Sequence, residues 1–141
     1  SAEGYLTGIV ENIDNREYSS TSLTYENGDI TSISSKMNGL ENKFIYEPGE
    51  ESSTYHLPCL GLLEIHPLTF HIEALYAGLL GKDPRHFTIR SCPAGSNDEK
   101  TVYSYGFDKK GNPSRMICQT TYAGGQASYY PYTRNISISF E

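Results

Sequence analysis

The stretch SLTYENGDITSI, residues 22–33, sets Asn27-Gly28 between two runs in which apolar and polar residues alternate. Asn and Gly best tolerate positive φ, and a two-residue loop of that kind twists the chain in the sense its flanking strands require. Strands ending near Tyr25 and starting near Ile30 are therefore expected to pair antiparallel. Segments 5–13, 20–25, 29–36 and 42–47 are all short, rich in β-branched or aromatic residues, and separated by Asn, Asp and Gly. That pattern predicts a succession of hairpin-linked strands.

A related signal closes the chain. In TVYSYGFDKKGNP, residues 101–113, side-chain alternation puts Tyr103, Tyr105 and Phe107 on one face and Ser104 and Gly106 on the other. Asp108-Lys109-Lys110-Gly111 forms a longer turn with Gly111 in its left-handed position, and residues 112–122 return as the partner strand. The last segment, YYPYTRNISISFE, places Tyr132, Ile136, Ile138 and Phe140 on one face and Asn135, Ser137 and Ser139 on the other. One face of the sheet is thus core and the other is wet.

The middle of the chain has a different period. Ile72, Leu75, Tyr76, Leu79 and Leu80 fall at the spacing of one helical face, with Thr69 as N-cap, Glu73 near the first turn, and Gly81 and Pro84 as stop signals. These predict one short helix over residues 69–80. A helix of that length is marginal alone in water, so it is expected to pack on the concave side of the sheet. There Ile72, Leu75, Leu79 and Leu80 would meet the face carrying Tyr103, Tyr105 and Phe107. The expected fold is mainly β: one domain over residues 1–141, with about eight to ten antiparallel strands in a single curved meander, a half-barrel with one helix.

Composition agrees with this and excludes some functions. Twelve Tyr, 13 Gly, 7 Pro and no Trp among 141 residues favour short strands and tight turns over a helical bundle. A net charge of −6, with no basic run longer than Lys109-Lys110, leaves no footprint for phosphate neutralisation. Nucleic acid and anionic membrane surfaces are therefore not expected as partners. No window approaches the ~18 consecutive apolar residues of a spanning helix, and no charged-then-apolar leader opens the chain, so a soluble domain is expected. The chain begins at Ser1 without Met, in accord with either a domain boundary or a mature exported protein.

Residues able to carry chemistry are sparse. Glu64, His66, His71 and Glu73, in LEIHPLTFHIE, are the best metal constellation. Two His five apart do not share a helical face as the pair in HExxH does, and Pro67 interrupts them, so polar residues flanking a helix start are the preferred reading. No GxSxG motif is present, and nothing around Cys92 or Cys118 marks an activated thiolate. Cys59, Cys92 and Cys118 are an odd set without CxxC spacing and are expected to be free thiols. Gly124-Gly125 lacks the GK[ST] ending of a phosphate loop and reads as a hairpin loop, while the Asn135-Ile136-Ser137 sequon lies inside a predicted strand. No cofactor is expected. The aromatic cluster Tyr129, Tyr130 and Tyr132 is the candidate recognition surface, because Tyr combines contact area with a hydroxyl at low entropic cost.

The hairpins YSYGFDKKGNPSRM and LTYENGDITSI resemble those of tyrosine-aspartate repeat proteins. Together with IEALYAGLLGKDPRHFTI, they make the chain similar over nearly its whole length to a family of secreted Bacteroidales lipoproteins. That family is known as a domain of unknown function with a porin-like fold. The resemblance implies an exported protein of the periplasm or outer surface, with a lipid anchor lost together with the leader, and it transfers no catalytic residue. Porin-like here describes strand topology, since the polar outer positions do not form an apolar lipid-facing band. The expected function is a non-enzymatic cell-envelope domain that binds a small ligand, glycan or partner protein. The alternative is a metal-dependent hydrolase using Glu64, His66 and His71.

Overall fold

The structure, a computed structural model, describes residues 1–52, 81–96, 98–123 and 132–137, with Tyr132 described by its backbone only. Among these residues eight strands follow one another: β1 (Gly8–Ile13), β2 (Arg16–Glu26), β3 (Asp29–Met37), β4 (Leu40–Ser52), β5 (His86–Pro93), β6 (Glu99–Phe107), β7 (Pro113–Tyr122) and β8 (Tyr132–Ser137). They form one antiparallel sheet in sequence order, with β1 and β8 as its two edges among the described residues, so the meander they make is not closed. Among the described residues there is no helix, and the helix expected over residues 69–80 lies outside them. No helix among the described residues is long and apolar enough to cross a membrane.

Local backbone chemistry explains why the first four strands run as they do. Asn27 and Gly28 have φ of 52° and 88°, and the pairs Asp14-Asn15 (50° and 60°) and Asn38-Gly39 (50° and 79°) repeat the geometry. Each pair is the whole loop of a hairpin, since Ile13 faces Arg16, Glu26 faces Asp29 and Met37 faces Leu40. Two consecutive left-handed residues make the turn whose twist matches that of paired strands, and Asn and Asp reach it because a short polar side chain offsets the steric cost. Three such turns in succession pair β1 to β4, from Gly8 to Ile45, into a meander by local preference.

Three segments differ from the sequence expectation. β2 begins at Arg16, not Ser20, because the Asp14-Asn15 loop is only two residues long. The first strand starts at Gly8, not Tyr5, because Tyr5 instead makes an isolated parallel bridge with Lys82. The Lys82 N–H donates to the Gly4 carbonyl at 2.8 Å, and Gly81 lies so close to this segment that a Cβ there would meet Gly4 O and Leu6 N at 2.8 Å. The fourth strand runs well past Glu47 to Ser52, pairing with β5 through register shifts at Pro48. A proline lacks the N–H that a regular ladder needs, so it is accommodated where the ladder is already broken.

Alternation sorts the two faces. Leu23, Ile30, Ile33 and Tyr46 form one buried cluster, flanked by Leu6, Ile9, Tyr25 and Phe44. Tyr103, Met116 and Cys118 form a second, flanked by Tyr105 and Ile136. The same face carries buried hydroxyls that bond one another across strands: Ser91 Oγ to Tyr103 Oη at 2.8 Å, and Thr101 Oγ1 to Thr120 Oγ1 at 2.8 Å. A buried hydroxyl without a partner costs on the order of 1–3 kcal/mol, so these cross-strand pairs let a Ser/Thr-rich sheet keep a dry face. Lys43, Arg90, Ser104, Arg115, Gln119 and Asn135 point outward and are exposed. Exposed Asn135 and Ser137 beside half-buried Ile136 agree with the alternation expected for β8, whereas Ile138 and Phe140 lie outside the described residues.

Cys92 and Cys118 are both thiols. Tyr103 faces Cys118 and Thr101 faces Ser91, so Cys92, next to Ser91, projects from the opposite side of the sheet to Cys118. Cys59 lies outside the described residues.

Candidate functional site

An antiparallel meander returns to the same end at every second turn. One end therefore collects the β2–β3 turn, the end of β4, the start of β5, the end of β6 and the β6–β7 loop. Most of the chemically distinctive side chains among the described residues stand on this rim.

Its polar element is a clamp. Asp29, the first residue after the Asn27-Gly28 turn, accepts the His86 backbone N–H at 2.7 Å with Oδ1, and its Oδ2 lies 2.8 Å from His86 Nδ1. The Asp29 side chain is 9% exposed and that of His86 28%. A carboxylate facing Nδ1 calls for the tautomer or the imidazolium with a proton on that nitrogen. Next to it the Arg85 N–H donates to the Gly28 carbonyl at 3.0 Å, so β5 begins directly against the turn. The Tyr5 and Tyr25 rings stack over this corner with centroids 4.7 Å apart, and Lys82 Nζ lies 5.8 Å from the Tyr5 ring centre. Both carboxylate oxygens of Asp29 are committed to His86. The pair therefore acts first as a tie between two distant strands.

Its apolar element is an aromatic shelf. Phe87 is buried, stacked on Tyr105 at 4.8 Å and tilted against Phe107 at 5.9 Å. These contacts confirm that Tyr105 and Phe107 share a face, as alternation predicted. Tyr105 Oη donates to the Thr88 carbonyl at 2.7 Å, which anchors its ring without leaving the phenol to define the surface. Phe107 is 41% exposed and Ile89, on the same strand as Phe87, 37%. An exposed aromatic ring backed by a buried one offers an apolar contact surface at little entropic cost on binding. Such a surface can hold an apolar or ring-faced ligand, but it has no bond-making chemistry of its own.

The β6–β7 loop beside the shelf is held by Asp108. Its Oδ1 accepts the N–H groups of Lys110 and Asn112, both at 2.8 Å, and its Oδ2 accepts Asn112 Nδ2 at 3.0 Å. The Asn112 backbone N–H, then the Asn112 side chain, hold the Asp108 carboxyl below its ordinary value of 3.8. Gly111, with φ of 85°, takes the left-handed position predicted for it.

Of the residues singled out in the sequence, Tyr129 and Tyr130 lie outside the described residues, as do Glu64, His66, His71 and Glu73. Tyr132 opens β8 opposite Thr120, and its side chain is outside the description. Among the described residues no group of three or more His, Cys, Asp or Glu is placed to hold a metal ion. The Asp29–His86 pair was missed because 57 residues separate the partners and no local motif links them. Phe87 had a usable signal, since Phe87, Ile89 and Ser91 occupy alternate positions in HFTIRS.

A solved structure of a porin-like protein from Bacteroides uniformis ATCC 8492 superposes with a TM-score of 0.80 at 26% sequence identity. The match covers 97% of this chain and 54% of that one, so the chain spans about half the length of that relative. No curated protein matches it. The family model described as a domain of unknown function (DUF4595) with porin-like fold matches residues 1–115. That match takes in β1 to β6 and the start of β7, including the Asp29–His86 clamp and the aromatic shelf, and the chain accordingly belongs to the DUF4595 family of porin-like fold.

Proposed function

We propose that this chain is a non-enzymatic binding domain of the bacterial cell envelope, engaging a small apolar or glycan-like ligand, or an apolar segment of a partner protein, at its aromatic rim. The observation that carries the reading is the shelf of Phe87, Tyr105 and Phe107, in which the 41% exposed Phe107 ring packs against buried Phe87, itself stacked on Tyr105. Aromatic surfaces of this kind supply binding energy with little ordering cost. The net charge of −6 argues against nucleic acid as the partner. On this reading the protein is exported to the periplasm or outer surface and held there by a lipid anchor outside the present sequence. It uses no cofactor.

The test is a binding screen on the purified domain. A panel of oligosaccharides and small apolar ligands is titrated while amide shifts on β5 and β6 are followed by NMR. Binding that perturbs residues 86–89 and 105–107, and that Phe107→Ala weakens about tenfold or more (~1.4 kcal/mol), is the expected result. Perturbations confined to the opposite end of the sheet would move the site. Stoichiometric zinc held by Glu64, His66 and His71, together with hydrolytic activity, would replace this reading with that of a metal-dependent hydrolase.

A further inference from the structure

We draw no further inference here: the strongest candidate, the edge of β1 that is unpaired among the described residues, with its exposed Val10 and Ile13 side chains, carries nothing because nothing in the structure shows what covers it.

Discussion

Replacing Asp29 by Ala tests whether the rim is built by its clamp. The side chain accepts two hydrogen bonds, at 2.7 and 2.8 Å, and is 9% exposed. A hydrogen bond to a charged group contributes roughly 1.5–3 kcal/mol. Two such bonds to one carboxylate do not add fully, and His86 at 28% exposure regains some water contact once its partner is gone. The expected loss is therefore about 2–4 kcal/mol, a large share of the ~5–15 kcal/mol that holds a small domain together. Asp29→Asn keeps an acceptor for the His86 N–H and can donate to Nδ1 of the other imidazole tautomer, so it should cost only about 0.5–1.5 kcal/mol. His86→Ala removes the side-chain bond and spares the backbone one, for about 1–2 kcal/mol. The double-mutant cycle on Asp29 and His86 should return a coupling of about 1–2 kcal/mol. Equilibrium urea unfolding read by circular dichroism and tyrosine fluorescence supplies the midpoints, the chain having no Trp. An Asp29→Ala protein within about 0.5 kcal/mol of the parent, with no coupling in the cycle, would show that the contact is incidental and that β5 finds its place without it.

Other consequences can be checked alongside. Gly81→Ala should destabilise by about 1–3 kcal/mol, because its φ is 115° and the added Cβ meets Gly4 O and Leu6 N at 2.8 Å. Gly39→Ala, also at positive φ but with nothing within 4 Å of the new Cβ, should cost only about 1 kcal/mol, and equal losses at the two sites would contradict the close approach of residues 4–6 to Gly81. Ile33→Ala, at a fully buried position in the first cluster, should lower stability by about 2–5 kcal/mol by urea titration. Thr120→Val strands the buried Thr101 hydroxyl and should cost about 1–3 kcal/mol, whereas changing both Thr101 and Thr120 to Val should recover most of the loss. Asp108 should titrate by NMR below 3.8. Its folded value is the lowered one, so its contribution is fully present above the ordinary carboxylate range and is lost as pH falls through the folded value. An unshifted Asp108 titration would mean that the β6–β7 loop opens in solution.

Local chemistry settled the hairpins. Positive φ at Asn27-Gly28 and Gly111 and the alternation of Tyr103, Tyr105 and Phe107 depend only on a residue and its near neighbours, so the sequence was enough to place the turns and sort the faces. The same locality made the family legible, since what its motifs specify is a run of hairpins. Tertiary structure decided everything that depends on the summed path of the chain. β4 extends to Ser52 because β5 offers it a partner beyond Pro48, which no propensity in EPGEES announces. Tyr5 leaves the strand pattern because Lys82 returns beside it. Asp29 reads as an ordinary residue after a hairpin turn until β5 brings His86 to it across 57 residues, and Phe107 reads as core until the end of β6 leaves it 41% exposed at the rim. Alternation says which face a side chain takes. How deeply it is covered on that face, and which distant group meets it there, follows from strand lengths and bulges fixed only when the whole sheet has formed.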